Sequence, residues 1–518
     1  MPERPPTRRL RAFALLATLA LVAFAFIGRA VISADDGAEM TADTLGFLVQ
    51  GRFESATIPP SGPPDPYLPP ALAFRSRYGI LPSLVPLPFV GTAWPFRRTL
   101  GAAGVDACAS LTWAAGAVLA ALAFFRLARE LRPDASPLWV PAFLGGTYLW
   151  AYAADSYVEP FAAAGLAFAG AQILSKADRS PARAALAVAA GCLSAYLLRP
   201  FDWITAPGFV LAALVAWKGS PDGGRRGVWL LVWLVPGLVL HGVLNQLRNG
   251  SFTDFGYGIT GQFPFVHPLL SGLVGSAVHP GRGLFFYAPV ALAALVAAPR
   301  LGWPARLLCF GVPLELVLVS ARWYGWHGGS CWGPRFLVPI LPLLVAPAVL
   351  APRRLAAALL SLGALLNLPG VLVAPGAFQN YAELLVPPPG ASWPKQGGDR
   401  VSEIAVLAPL YGHPWLLANS LAGRRLSAPW LARGARETAP PPDAAGYLSP
   451  WIVRRAVGLP PVSPFLPRLL VRSAFGYLVR GRLEQAALFA EEALVLDPKE
   501  RDAPGILAEA RRAGILRR

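Results

Sequence analysis

The sequence predicts an all-α integral membrane protein of about eleven transmembrane helices. It also predicts a long first exterior loop with amphipathic helices and a small, mostly irregular and helical exterior domain near the C-terminus. Three observations carry this. The 518 residues are 55% hydrophobic and only 14% charged, with a mean hydropathy of +0.47, whereas a soluble domain carries roughly 25% charged residues. Apolar stretches of about 20 residues, the length that crosses a hydrocarbon core, recur along the chain. Arginine clusters such as Arg8, Arg9 and Arg11, then Arg126, Arg129 and Arg132, punctuate those stretches. The net charge of +17 would suit a nucleic acid. Its placement instead marks loop ends and contacts to anionic headgroups, so no nucleic-acid partner is expected.

The spans are expected near 12–33, 101–128, 136–154, 157–175, 182–200, 202–218, 227–245, 284–300, 303–321, 336–351 and 354–375. The first is longer than a signal-peptide core and lacks a small-residue cleavage site after it, so it reads as retained. With a cytoplasmic N-terminus, the basic segments RLARELRPD, SKADRSPAR, KGSPDGGRRG and APRR and the turn at Arg300 fall inside. Asp35, Asp36, Glu39, Asp43, Asp155 and Glu159 then fall outside, as the positive-inside rule requires. An odd number of spans leaves the C-terminus exterior.

Three outward segments, 34–100, 246–283 and 322–335, are too long for turns, and loops of that length are usually functional. In the first, Asp36, Glu39 and Asp43 recur at helical spacing beside Thr44, Phe47 and Leu48, which reads as an amphipathic helix lying on the membrane. PPSGPPDPYLPP is a stiff extended linker, and LPSLVPLPFVG then returns toward the bilayer, too short and Pro-rich to span. The chain therefore divides into a polytopic membrane domain, 1–375, a Pro/Gly-rich exterior region, 376–468, and a helical segment, 469–518. In the last, Tyr477, Gly481, Ala486, Ala493 and Pro498 in and around LEQAALFAEEALVLDP resemble the later positions of a tetratricopeptide repeat. One and a half repeats cannot form a solenoid, so a helical cap docked on the exterior is expected. Recruitment of a protein partner is the alternative.

The loop WYGWHGGSCWGPR, 323–335, is the densest cluster of chemistry. Trp323, Trp326 and Trp332 can stack on sugars or prenyl chains, or can form an aromatic belt at the interface. Its glycines allow close backbone approach, and Arg335 can grip a phosphate with paired donors. ADDGAEM begins where the first span ends; a carboxylate there can act as a general base, or simply begin a helix. Asp155 and Glu159 lie four apart in ADSYVEP, on one face of a helix. The outward cations are Arg75, Arg77, Arg248, Arg282, Arg322 and Arg335, with His279 and His327. Snorkelling accounts for most of them, but His279 and Arg282 in HPGRGLFFYAP sit at headgroup depth, where a lipid phosphate lies. Arg199 and Asp202, in LLRPFDW, are expected to pair with each other. Cys108, Cys192 and Cys309 fall in apolar runs and Cys331 in a loop; with no CxxC spacing, neither a disulfide framework nor a zinc site is expected.

Taken together, DDGAEM, FLVQGRF, SRYGILPSLVPLPFVG, SYVEPFAAAGLA, LLRP, RNGSFTDFGYG, GRGLFFYAPVALAAL and WHGGSCWGPRFLVPILPLL resemble the bacterial polyprenyl-phosphate-dependent glycosyltransferases of the GT-C class. Those enzymes include relatives of the protein O-mannosyltransferases and of the aminoarabinose transferases. The resemblance implies a multi-span protein of the bacterial inner membrane whose site faces the exterior. It implies a sugar donor carried on a polyprenyl phosphate and an envelope acceptor that is a glycan, a lipid or a protein. It places the base at Asp36, with Asp35 beside it. Many relatives carry an adjacent Asp-Glu pair where this chain has DDG, which passes the second acidic role to Glu39 or Glu159. The donor-binding set expected on the exterior side is Arg77, Tyr78, His279, Arg282, His327 and Arg335. No cofactor is required, no metal site is indicated, and no DxD motif for a nucleotide-sugar is present. Two other readings stand beside it. A lipid or sugar transporter would use the intramembrane Glu315 and His241, and a non-catalytic scaffold would use the helical tail.

Overall fold

The computed structural model describes residues 8–26, 35–52, 80–154, 157–175, 180–249, 251–252, 265–323, 325–329, 331–373, 408–422 and 466–515. Its helices in chain order are α1 (Arg8–Phe26), α2 (Asp35–Gln50), α3 (Ile80–Leu84), α4 (Leu87–Ala93), α5 (Arg97–Leu131), α6 (Trp139–Gly145) and α7 (Leu149–Tyr152). There follow α8 (Glu159–Leu174), α9 (Pro181–Leu198), α10 (Ala206–Trp217), α11 (Gly223–Asn249), α12 (Leu269–Val278), α13 (Leu284–Tyr287) and α14 (Val290–Ala297). The chain continues through α15 (Trp303–Arg306), α16 (Val312–Arg322), α17 (Leu341–Val345), α18 (Arg353–Leu372) and α19 (Pro409–Ala422). It closes with α20 (Leu466–Val479), α21 (Leu483–Leu496) and α22 (Ala503–Arg512).

Six segments are long and apolar enough to cross a membrane among the described residues: Leu87–Leu131, Pro181–Leu198, Pro200–Trp217, Gly223–Leu247, Trp303–Arg322 and Arg353–Leu372. The protein is a multi-pass membrane protein. The sequence expectation is about eleven spans, several short or broken by Pro or Gly; six described segments reach membrane length, and proline and glycine divide others. The stretch 136–154 breaks at Gly146 into α6 and α7, and 284–300 breaks before Pro289 into α13 and α14. The stretch 336–351, with Pro342 and Pro347, alternates short 3₁₀ and α turns. A proline removes a backbone donor and clashes with the preceding turn, so these apolar runs fold as short pieces, 336–351 mostly buried and 284–300 with Leu292, Leu295 and Val296 exposed. Within Leu87–Leu131 the backbone kinks at Gly101, at φ 62, the residue where the sequence reading begins its second span.

Alanine and glycine set the spacing of the core. Helix α8 packs most extensively on α5 and on α9. Gly165 and Gly191 meet so closely that a Cβ on Gly165 would stand 2.6 Å from the Gly191 carbonyl, and one on Gly191 would stand 2.7 Å from that of Gly165. Small residues at such a crossing let two helices associate through backbone contact in lipid. The crossing brings the start of α8, with Glu159, beside the end of α9, with Arg199. The opposite side of the bundle is lipid-like: Leu231, Val232, Val235, Leu238 and Val239 on α11 are exposed.

The last three helices form an antiparallel group that packs on α2 and α5. Between them and α18, the region expected to be irregular contributes α19, whose His413 and Leu416 are buried.

Candidate functional site

The site is built around a chain of four charged groups, three of them buried and the fourth, Arg335, partly exposed. Glu159 opens α8, which Pro160 at its first turn favours. The Arg335 Nε donates to Glu159 Oε1 at 2.6 Å, and the Arg199 Nε stands 3.8 Å from the same oxygen. Arg199 Nη1 donates to Asp202 Oδ1 at 2.6 Å, the pairing expected from the spacing in LLRPFDW. Signs alternate along the chain: Arg335, Glu159, Arg199, Asp202. Glu159 is 1% exposed, whereas the Arg335 side chain retains 14%. Aromatic faces close the flanks. The Arg335 guanidinium lies 4.2 Å from the Tyr157 ring centre, and that of Arg199 lies over Phe201 and Phe336. Such faces favour a cation electrostatically while excluding water. Glu159 Oε2, Arg199 Nη2 and Asp202 Oδ2 are buried without a hydrogen-bond partner among the described residues.

Helix α2 approaches this chain. Met40 packs in one cluster with Trp113 and Val158, the residue before Glu159, with Val85 and Phe161 against them. Thr44 Oγ1 donates to the Ser83 carbonyl at 2.6 Å, and Ser83 Oγ donates to Asp43 Oδ2 at 3.0 Å. The third acid of the amphipathic stripe thus ties α2 to α3. The backbone of Asp35, Asp36 and Glu39 belongs to the first turns of α2; their side chains lie outside the described residues. So do Arg77, Tyr78 and Asp155, and the side chain of Arg248.

The loop 323–335 folds inward. Trp323 packs edge-on to Phe201 and Phe265. Trp326 lies against Gly275, where a Cβ would come within 2.4 Å of its ring, and stacks near His267. Trp332 is wholly buried, donates its indole N–H to Asn367 Oδ1 at 2.8 Å, and meets Tyr287 and His413 edge-on. Asn367 in turn donates to the carbonyls of Tyr287 and Gly363. All three tryptophans, expected from the sequence to contact a sugar or to form an interfacial belt, are buried, Trp332 wholly so. Their role here is to fasten the loop to the bundle.

Arg282 is the centre of that fastening. Its Nε donates to the His327 carbonyl at 2.7 Å, Nη1 to those of Cys331 at 2.8 Å and Gly281 at 3.2 Å, and Nη2 to that of Gly329 at 2.6 Å. At 1% exposure it shapes the loop and presents little surface to the lipid phosphate expected from the sequence. Gly328, at φ 75, lets the backbone turn tightly around Arg335, whose Cβ would lie 2.9 Å from a Cβ placed there. His327 Nδ1 accepts the Gly329 N–H and His279 Nδ1 accepts the Gly281 N–H, so each neutral ring carries its proton on Nε2. His279 is partly exposed and His327 is buried. Cys331 is a buried free thiol.

Sequence reasoning singled out Arg335 and Glu159 separately. It did not join them, and it left Arg199 outside the site. An arginine at a helix end in an apolar context was the available signal. No three His, Cys, Asp or Glu side chains gather as a metal site among the described residues. The transporter candidates have other surroundings. Glu315 Oε2 accepts the backbone N–H of Gly208 at 3.1 Å, near the start of α10, and His241 is buried on α11.

The fold and this site define a class: a polytopic helical membrane protein with a buried ionic chain beneath an amphipathic helix that starts in acids. No family profile and no curated protein matches the chain. Among solved structures it is similar to ArnT from Cupriavidus metallidurans in the apo state, at 15% identity and TM-score 0.46, over 97% of this chain and 75% of that one. It is also similar to the same protein bound to undecaprenyl phosphate, at 16% identity and TM-score 0.46, over 96% and 76%.

Proposed function

We propose that this protein is a membrane glycosyltransferase that moves a sugar from a polyprenyl-phosphate carrier to an envelope acceptor on the exterior face. The observation that carries the reading is the Arg335–Glu159 ion pair, held below the first turns of α2 through the Met40–Val158 contact. Acid and cation are the two groups an anomeric displacement needs. Asp36 takes the proton of the acceptor hydroxyl. The acceptor oxygen forms its bond to the anomeric carbon as the bond from that carbon to the phosphate oxygen breaks. The electron pair leaves with the prenyl phosphate, and a single displacement inverts the anomeric centre.

Arg335 stabilises the departing phosphate, with Arg77 and Tyr78 on the donor side of the first loop. A preorganised guanidinium acts strongly there because the site is shielded from water. Arg335 can exchange Glu159 for a phosphate because that carboxylate can be satisfied otherwise. Arg199 stands 3.8 Å from the Glu159 carboxylate, and both carry unpartnered atoms. A small shift lets Arg199 take over Glu159 as Arg335 engages the phosphate. Arg282 and the tryptophans hold the loop so that this exchange occurs at one place. Asp35 and Glu39 orient the acceptor.

The test is mass spectrometry of prenyl-phosphate sugars in a strain lacking the gene, complemented with wild type or with Asp36→Asn. The expected result is one lipid-linked sugar that accumulates and is cleared only by wild type. Clearance by both removes Asp36 as the base. A lipid-linked pool that never changes rejects the transferase reading.

A further inference from the structure

Helix α2 is held on two opposite faces by two different parts of the chain. Positions 40 and 44 lie one turn apart on the face that meets the membrane bundle, through Met40 and Thr44. Positions 42, 45 and 49 recur at helical spacing on the other face. There Ala42 and Leu45 are buried, with Val49 packed against the same core. That core belongs largely to the C-terminal helices: Leu469, Leu470 and Tyr477 of α20, and Phe489 of α21. It is completed by Trp94 and by Val105 of α5. The acid-bearing helix and the tail therefore share one hydrophobic interior.

Three polar ties fix the register of that interior. Gln50 Nε2 donates to the Tyr477 hydroxyl at 3.0 Å. Arg97 makes a paired contact with Glu492, Nε to Oε2 at 2.6 Å and Nη2 to Oε1 at 2.8 Å, with both side chains about four-fifths buried. Asp106, 1% exposed on α5, accepts the Leu466 backbone N–H at 3.0 Å. It caps α20 from a separate helix, where a carboxylate satisfies an orphan donor and complements the helix dipole. A bidentate guanidinium–carboxylate pair specifies orientation as well as adding energy, so the tail has one seat.

We infer that the C-terminal helical unit is a positioning element of the transfer site: by holding α2 from the face opposite Met40, it fixes the turn that carries Asp36 over the Arg335–Glu159 pair. The inference rests on the function proposed above, and Arg97, Glu492, Asp106 and Tyr477 are its positioning residues. None of them touches substrate.

The experiment uses the full chain in lipid nanodiscs and compares wild type, Arg97→Glu, Glu492→Arg and the double exchange of both. Two quantities are read: amide hydrogen exchange of residues 35–50, and donor turnover per folded protein as kcat and KM. Each single substitution places like charges together and is expected to speed exchange in 35–50 about tenfold and to lower kcat about tenfold, with KM for the donor unchanged. The double exchange restores both. Unchanged exchange in 35–50 overturns the inference, and so does faster exchange with unaltered kcat. If exchange behaves as expected but wild type consumes no lipid-linked sugar, the hold on α2 is upheld and the transferase reading is the one that falls.

Discussion

Arg282 and Arg335 are both arginines of the same folded region, and both were candidates for a lipid phosphate, yet their surroundings assign them different work. Arg282 gives its donors to four backbone carbonyls. Arg335 gives its Nε to a carboxylate and keeps part of its side chain exposed. A carbonyl cradle has no equivalent in a substrate, so releasing Arg282 would leave several buried acceptors unsatisfied. A carboxylate can be exchanged for a phosphate with little change in geometry or charge. The difference teaches that an arginine near a headgroup is available for chemistry when its partner is a similar anion, and structural when its partner is the backbone.

Four substitutions break or sharpen that contrast. Arg335→Ala is expected to have the largest effect, lowering kcat by about 10²–10³-fold, the usual loss for one donor to a developing anion. Its melting temperature should change far less than its rate, and a parallel loss of both would merge Arg335 with Arg282. Arg282→Lys should behave in the opposite way. An ammonium cannot reach four carbonyls in a plane, so about 3 kcal/mol of stability should be lost through unsatisfied acceptors, seen in thermal unfolding in detergent. Trp332→Phe deletes the N–H to Asn367 and replaces the indole by a smaller ring, and should cost about 2–3 kcal/mol by the same measure. Glu315→Gln retains an acceptor for the Gly208 N–H and should change stability and turnover least, within about 0.5 kcal/mol. A large loss of function from that last change alone would favour transport over transfer.

The sequence announces the parts of this molecule that local pattern determines. Membrane character, the helix that begins at Asp35 and the Arg199–Asp202 pair all follow from composition or from spacings of three and four. The helical tail follows from a repeat-like phrase. What it conceals depends on distance along the chain. Glu159 and Arg335 are 176 positions apart, and nothing near either residue names the other. The tryptophans mislead for a related reason: the same rings suit an interface or a core, and Gly275 and Gly370, which make room for Trp326 and Trp332, lie far away in sequence. Mean apolarity likewise does not record where Pro289, Pro342 or Gly146 interrupts a helix. Asp106 and Asn367 were legible in principle, each being a polar residue inside an otherwise apolar run, the pattern that marks an internal partner.

The ties between the tail and the first loop also set a schedule for biogenesis. Asp106 is separated from Leu466 by 360 positions, Arg97 from Glu492 by 395 and Gln50 from Tyr477 by 427. At about 5–20 residues per second, the ribosome has exposed α2 for at least roughly 20 seconds before any of those partners exists. During that interval the helix has only its bundle-facing side secured. A nascent chain interrupted before residue 466 can insert its spans and still lack the second hold on α2. Synthesis of the tail is thereby written into the position of one helix, and its seating on α2 must follow insertion of the spans that precede it.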